Sequence, residues 1–159
     1  MGKKPGPGDK APDFELPDDS GASRRLKDFA GKTLVIYFYP KDDTAGCTKE
    51  AMDFNNLKGA FAKAGAAILG VSPDSTASHA KFKTKHKLAL DLASDESKAM
   101  LEAYGVWTEK SLYGRKYMGV ERTTFLIAPD GLITHVWHKV KVPGHAAAVL
   151  DAAAALSAL

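Results

Sequence analysis

The order of apolar and polar positions predicts that strands and helices alternate through the first half of the chain. Residues 34–39 and 66–72 are continuous apolar runs, which is typical of strands buried on both faces of a sheet. One helix is predicted between them, from about residue 46 or 47 through 64, because five apolar residues fall near one of its faces: Met52, Leu57, Ala60, Phe61 and Ala64. Parallel strands need a crossover of this length, so we expect this pair to be parallel.

The rest of the pattern predicts a mixed sheet. In chain order it indicates a hairpin of residues 14–16 and 24–26, a helix over about 73–86, a strand at 88–92, a helix over 97–104, strands at 123–127 and 132–137 around the turn Pro129-Asp130-Gly131, and a last helix over about 144–157. The segment that holds Trp107, Tyr113 and Tyr117 is predicted to be a loop. This order is that of a thioredoxin-like α/β fold, a central mixed sheet flanked by helices, with an N-terminal β-hairpin.

Length and composition are those of one domain. The 159 residues are 45% apolar, which suffices for one core, and no repeat or low-complexity linker divides them. We therefore expect residues 1–159 to be a single domain in which residues 1–8 are flexible. The basic start lacks the apolar stretch of a secretory signal, and residues 146–159 are too short to span a bilayer. These features predict a cytoplasmic protein with no membrane partner.

The charge pattern gives little support to a polyanionic partner or a metal. An excess of 22 Lys and Arg over 19 Asp and Glu leaves a net charge of only +3. The basic residues 79–87 fit a nucleic-acid surface, but they also fit the solvated face of a helix that turns Ala80 and Phe82 inward, and we favour the second interpretation. The histidines lack acid or cysteine partners at metal-ligand spacing, and no glycine-rich phosphate loop is present. No metal, cofactor or nucleic-acid partner is expected.

The single cysteine, Cys47, lies where the strand over residues 34–39 gives way to a helix. In the first helical turn, the free N–H groups and the positive end of the helix dipole favour an anion, and the thiolate is the nucleophilic form of cysteine. A free cysteine is also among the most buried residue types and packs as a small inert hydrophobe. Position alone leaves both interpretations open.

The residues around Cys47 carry a family resemblance. Pro40, Thr44 and Cys47 match the Pro-x-x-x-Thr/Ser-x-x-Cys site of the peroxiredoxins, and residues 39–51 resemble the bacterioferritin comigratory protein group, also called the peroxiredoxin Q type. Residues 104–107, 113–119 and 122–127 continue the resemblance, which covers nearly the whole chain. It implies a thiol-dependent peroxidase that reduces hydrogen peroxide and organic hydroperoxides.

The resemblance also implies a role for each site residue. Cys47 matches the peroxidatic cysteine and Arg122 the arginine that flanks it in the folded site. Thr44 matches the hydroxyl residue that hydrogen-bonds the sulfur and the peroxide, Pro40 the residue that shields the thiolate, and Glu50 the acid that holds the arginine. Without the resemblance, Arg122 is only a charge at the head of a strand, Thr44 a turn or N-cap residue and Glu50 a first-turn acid.

A departure from the group concerns the second cysteine. Many members carry a resolving cysteine five residues after the peroxidatic one, where this chain has Met52, and the helix over residues 73–86 holds none either. The resemblance therefore implies that an external thiol, such as thioredoxin, glutaredoxin or glutathione, reduces the Cys47 sulfenic acid. The group also implies a monomer. An alternative function is a redox sensor that passes its oxidised state to a partner as a mixed disulfide.

Overall fold

Strands and helices alternate along the protein. The structure, a computed structural model, describes residues 4–158. A 3₁₀ turn occupies Leu26–Phe29, after the second strand. The strands are β1 (Glu15–Pro17), β2 (Ser23–Arg25), β3 (Thr33–Phe38), β4 (Ala66–Ser72), β5 (Asp91–Ser94), β6 (Trp107–Leu112), β7 (Arg115–Val120), β8 (Thr123–Ile127) and β9 (Ile133–Trp137). The helices are α1 (Ala45–Asn56), α2 (Lys58–Lys63), α3 (Thr76–His86), α4 (Ala99–Ala103) and α5 (His145–Ser157).

A mixed five-stranded sheet forms the centre, with the strand order β5-β4-β3-β8-β9. The strands β3, β4 and β5 are parallel, and β8 and β9 are antiparallel to their neighbours. Helices α1 and α2 connect β3 to β4, as the sequence predicts, and α3 connects β4 to β5. Together with the β1–β2 hairpin, this arrangement confirms the predicted thioredoxin-like fold.

The central strand β3 separates two hydrophobic cores because its side chains alternate between the faces of the sheet. Leu34, Ile36 and Phe38 belong to the core on one face, which also receives residues of α4 and of the N-terminal hairpin. Val35 and Tyr37 belong to the core on the other face. That second core contains Cys47 and residues of α1, α2, α3 and α5, so the cysteine lies within a helical layer.

The predicted helix over residues 46–64 is wrong in one respect, because the structure divides it. Leu57, with φ −97° and ψ 2°, separates α1 from α2. Phe54 in α1 and Phe61 in α2 are both fully buried in the same core. Both helices therefore pack in the same core on either side of the break at Leu57. The fifth strand also begins later than predicted, since its pairing with β4 starts at Asp91, opposite Leu69.

The predicted loop over residues 107–117 is a β-hairpin, so that prediction is wrong. Strands β6 and β7 pair antiparallel from Trp107 opposite Val120 to Leu112 opposite Arg115. Tyr113 and Gly114 form the two-residue turn with φ values of 51° and 76°, which are both positive as a type I′ turn requires. The usual sequence signal is Asn-Gly or Asp-Gly, and a tyrosine at the first turn position conceals it.

The N-terminal segment is hydrogen-bonded to the first residue of β9. Residues 1–3 lie outside the described residues, whereas the backbone N–H of Gly8 donates to the Ile133 carbonyl at 2.8 Å. The flexibility predicted for residues 1–8 and the single-domain organisation stay predictions. No helix within residues 4–158 is long and apolar enough to cross a membrane.

Two glycine substitutions test the packing between β3 and β4. A Cβ at Gly70 would lie 2.7 Å from both Leu92 Cδ2 and Tyr37 Cζ, two fully buried side chains. Gly70→Ala is therefore expected to lower the free energy of unfolding by about 2 kcal/mol through overpacking. A Cβ at Gly59, in α2, would meet nothing within 4 Å, so Gly59→Ala is expected to raise stability by up to about 1 kcal/mol. Urea unfolding measures both, and equal effects at the two positions would contradict the packing described here.

Candidate active site

The sulfur of Cys47 lies at the start of α1, beneath the end of β3. Helix α1 begins at Ala45, after the N-cap residue Thr44, so Cys47 belongs to the first helical turn as the sequence predicts. The residue is only 1% exposed and packs in the core with β3 side chains such as Tyr37. A nucleophile at this place is shielded from bulk water and faces the positive end of the helix dipole.

The guanidinium of Arg122 joins the sulfur to a buried carboxylate. Arg122 lies between β7 and β8, and its backbone carbonyl accepts a hydrogen bond from the N–H of Val140 at 2.9 Å. Its Nη2 donates to Cys47 Sγ at 3.3 Å, and its Nη1 donates to Glu50 Oε1 at 2.6 Å. The structure thus brings together three of the predicted site residues. The guanidinium holds the two acceptors in a fixed planar geometry, which the single ammonium nitrogen of a lysine does not provide.

Glycine at position 46 makes room for this contact. A Cβ on Gly46 would lie 3.2 Å from Nη2 of Arg122, which is tighter than ordinary van der Waals contact. Any larger residue here would press on the nitrogen that reaches Cys47. Sequence reasoning missed Gly46, because a glycine at the start of a helix is usually interpreted as a turn residue.

Glu50 is the buried acid of the site. It lies one helical turn after Cys47, so both side chains are on the same face of α1, and it is 1% exposed. Its Oε2 has no hydrogen-bond partner among residues 4–158. Burial raises the pKa of the Glu50 carboxyl from 4.5 to about 7, and the charge of Arg122 opposes that rise. The carboxylate therefore titrates in the physiological pH range.

The loop before α1 carries Pro40 and Thr44. Pro40 is half-buried between the end of β3 and the turn that leads to Cys47. The hydroxyl of Thr44 donates to the carbonyl of Lys41 at 2.9 Å, and the residues described show no hydrogen bond from it to the sulfur. The structure thus places both residues beside the first turn of α1, with the lone pairs of Oγ1 still available as acceptors.

A buried polar cluster anchors this loop, and sequence reasoning missed it. Asp42 Oδ1 accepts from the Tyr39 hydroxyl at 2.6 Å, and Oδ2 accepts from Ser78 at 2.8 Å and lies 2.7 Å from His79 Nδ1. Asp74 Oδ2 accepts from the Asp42 backbone N–H at 2.8 Å. The members come from two segments of the chain, residues 39–42 and 74–79, so no local spacing reveals them.

The same cluster bears on the metal and nucleic-acid predictions. Asp42, Asp74 and His79 have the donor atoms of a metal site, but hydrogen bonds within the protein engage all three, including Nε2 of His79 at 3.0 Å from the Ala93 carbonyl. In the basic stretch over residues 79–87, Lys81 and Lys87 are exposed, whereas Lys83 and the exposed Lys85 form ion pairs with Asp19 and Asp43. His79 is fully buried, so the stretch is less basic at its surface than its sequence indicates.

His145, at the start of α5, is a second buried titratable group near the site. Its Nε2 lies 2.8 Å from Thr124 Oγ1 on β8. Burial, and then the charge of Arg122, lowers the pKa of His145 from 6.5 to about 4. The imidazole is therefore neutral at pH 7 and links α5 to the central sheet without adding charge.

Comparison with known proteins decides the family. Residues 7–136 match the AhpC/TSA family. The chain belongs to the AhpC/TSA family. A putative peroxiredoxin bcp of Coxiella burnetii is 50% identical over 143 residues, which cover 90% of this chain and 95% of the relative. Peroxiredoxin Bcp of Bacillus subtilis is 49% identical over 144 residues, which cover 91% of this chain and 92% of the relative.

Solved structures agree with this placement in the AhpC/TSA family. The bacterioferritin comigratory protein of Xanthomonas campestris, studied for its alkyl peroxide reduction activity, is similar with a TM-score of 0.87 at 49% identity, over 91% of this chain and 92% of that one. A PrxQ mutant of Xylella fastidiosa reaches a TM-score of 0.91 at 38% identity, over 97% and 98% of the two chains. The AhpC/TSA member described here is a peroxiredoxin of the Bcp type and a thiol-dependent peroxidase, with one cysteine, Cys47.

The pKa shifts of Glu50 and His145 give the free energy of unfolding opposite dependences on pH. The folded-state pKa of Glu50, about 7, is above its unfolded value of 4.5, so stability falls as pH rises between these values. The folded-state pKa of His145, about 4, is below its unfolded value of 6.5, so stability falls as pH drops between them. The two effects oppose each other from about pH 4.5 to 6.5.

Single variants separate these effects. Relative to the wild type, Glu50→Gln is expected to lose stability more steeply on acidification, whereas His145→Gln is expected to gain stability as the pH falls from about 7. Each difference amounts to a few kcal/mol at most, measured by urea unfolding across the pH range. Identical pH profiles for the wild type and both variants would contradict the assigned burial of these groups.

Proposed function

We propose that Cys47 is the peroxidatic cysteine and that Arg122 and Glu50 form its catalytic setting, with Thr44 and Pro40 completing the site. The observation that carries the proposal is the guanidinium of Arg122, 3.3 Å from Cys47 Sγ and 2.6 Å from Glu50 Oε1. The thiolate is the form of cysteine that attacks peroxides, and the guanidinium donates to the sulfur that would attack. The carboxylate keeps that cation in one orientation.

The reaction follows from this geometry. The Cys47 thiolate attacks the terminal oxygen of a hydroperoxide, the O–O bond breaks, and the sulfur becomes a sulfenic acid. The departing alkoxide or hydroxide takes up a proton and leaves as alcohol or water. Negative charge grows on the departing oxygen as the bond breaks, and N–H donors of Arg122 that already lie beside the sulfur stabilise that charge.

Thr44 and Pro40 shape the place of the peroxide. Because the Thr44 hydroxyl donates its hydrogen bond to the Lys41 carbonyl, its oxygen is left to accept a hydrogen bond from the O–H of the peroxide. That acceptor orients the terminal oxygen toward the sulfur. Pro40, half-buried and without an N–H, limits the access of water to the thiolate.

Regeneration requires a thiol from outside the chain. Cys47 is the one cysteine of the sequence. By the family resemblance, Met52 takes the position at which many members carry the resolving cysteine, and it is 41% exposed. An external thiol condenses with the sulfenic acid to a mixed disulfide, and a second thiol releases Cys47. We extend the proposal to a monomer in the cytoplasm, where thiol reductants are abundant.

Substitution of Arg122 tests the proposed site. Arg122→Ala removes the cation and the donors beside Sγ, so the rate of sulfenic acid formation with about one equivalent of hydrogen peroxide is expected to fall by about 10²- to 10³-fold. Arg122→Lys keeps the charge but loses the forked geometry, so we expect an intermediate rate. Stopped-flow tryptophan fluorescence gives the rates, and intact mass confirms the added oxygen.

Two controls make this test decisive. Cys47→Ser should gain no oxygen, and urea unfolding should show that the Arg122 variants remain folded. A wild-type rate no faster than that of a free thiol, unchanged in Arg122→Ala, would contradict the proposal. Turnover of many peroxide equivalents with an external thiol distinguishes the peroxidase from the alternative redox sensor, which needs only one oxidation event per signal.

A further inference from the structure

A cavity with three cationic side chains opens beside the arginine of the site. It has a volume of about 360 Å³, and Lys110, Arg122 and Lys139 line it together with Glu109 and Glu121. Arg122 belongs both to the cavity and to the site around Cys47, since its Nη2 also contacts Cys47 Sγ at 3.3 Å. A molecule in this cavity is therefore separated from the sulfur by a single side chain.

The two carboxylates of the cavity compensate these cations only in part. Glu121 Oε2 accepts from the Thr123 hydroxyl at 3.1 Å and lies 3.2 Å from His138 Nδ1, and its charge also acts on Lys110 without forming an ion pair with it. Glu109 lines the cavity but is exposed, so solvent and salt screen its charge. Neither Lys110 nor Lys139 forms an ion pair within residues 4–158, whereas Arg122 has Glu50.

The β6–β7 hairpin holds Lys110 in position. Lys110 is opposite Tyr117, and a Cβ on the neighbouring Gly119 would lie 3.2 Å from Lys110 Cδ, so the aliphatic part of the lysine runs across Gly119. Burial and then the charge of Arg122 lower the pKa of Lys110, whereas negative charge on Cys47 and on Glu121 raises it. Lys110 is therefore close enough to respond to a change of charge at Cys47.

Oxidation of Cys47 changes this balance of charge. The attacking thiolate carries a full negative charge, which the S–OH group that forms from it does not. The cations then face less negative charge than before. The site consequently attracts an anion more strongly after oxidation than in its resting state, at the step where the external reductant has to arrive.

We propose that this cavity recruits a low-molecular-weight thiol that carries a carboxylate, with Lys110 as the residue that determines specificity for it. The inference rests on the proposed function and names its reductant class. The thiol sulfur attacks the sulfenic sulfur of Cys47, the S–O bond breaks, and hydroxide leaves as water with the proton of the thiol. A second thiol then attacks the mixed disulfide, releasing the Cys47 thiolate and a small disulfide.

A small thiol fits this arrangement better than the surface of a protein reductant. The cavity has the size of a small-molecule site, and Cys47 is only 1% exposed, so the residue offers little surface for contact with a protein reductant. With its carboxylate bound in the cavity, the small thiol would keep its sulfur end free to reach past Arg122 toward Cys47.

Three small thiols of different charge test the proposal: mercaptopropionate, mercaptoethanol and cysteamine. Cys47 is first oxidised with about one equivalent of peroxide, and reduction of the sulfenic acid is then followed with each thiol at low salt, with rates expressed per thiolate. The wild type is expected to react fastest with the anionic thiol. Lys110→Gln is expected to reduce the ratio of the anionic to the cationic rate by about fivefold, because one nearby charge is lost.

Lys116→Gln is the matched control, because it removes the same charge from the same hairpin. Lys116 is opposite Ser111, on the face away from Lys110, so its loss should leave the ratio nearly unchanged. Equal losses in both variants, or no preference for the anionic thiol, would overturn the proposal. Reduction by a protein dithiol alone, with none of the three small thiols active, would overturn it as well. Failure of the first oxidation would instead refute the proposed function itself.

Discussion

The ion pair between Arg122 and the buried Glu50 is the interaction on which the rest of the site depends. A carboxylate that is 1% exposed is costly unless a cation pairs with it, and Arg122 supplies that cation at 2.6 Å. The pair fixes the guanidinium relative to α1, and Cys47 lies one turn earlier on the same helix. The second nitrogen therefore reaches the sulfur without adjustment. The buried ion pair therefore holds Arg122, a residue type usually found at the surface, in one position.

The fold holds the two ends of this pair in place. Glu50 and Cys47 come from α1, which packs over β3, whereas Arg122 precedes β8, the antiparallel neighbour of β3. The sheet therefore fixes the distance between them. The loop that enters α1 is anchored separately, through Asp42, Ser78 and His79, to the start of α3. Two independent attachments, one at each side of the first turn, keep Cys47 in register with the arginine.

The sequence predicts the secondary structure around Cys47 well and the long-range contacts of the site poorly. The strand before Cys47, the helix after it and the parallel crossover follow from hydrophobic patterning alone. Arg122 is 75 residues from Cys47, so nothing in the spacing connects them, and the family resemblance was needed to do so. The cluster of Asp42, Asp74 and His79 has no such resemblance to reveal it. It emerges only when α3 folds back beside the loop.

Where sequence patterning failed, a specific physical feature explains the failure. The β6–β7 hairpin turns through Tyr113, a residue that rarely takes a positive φ, and its strands are mostly exposed, so alternation is weak. The break at Leu57 leaves the apolar spacing of α1 and α2 almost continuous, so a single helix fits the pattern equally well. Lys110, which lines the cavity beside Arg122, lies on that unpredicted hairpin and was therefore not recognised as part of the site.

The central claim is that Glu50 acts through Arg122, and a double-mutant cycle tests it most directly. Sulfenic acid formation would be measured in the wild type, Glu50→Gln, Arg122→Ala and the double variant, at a pH of about 8, where the Glu50 carboxylate is ionised. The account predicts that Glu50→Gln slows the reaction about tenfold when Arg122 is present and has no effect when it is absent. Equal slowing by Glu50→Gln in both backgrounds would contradict it.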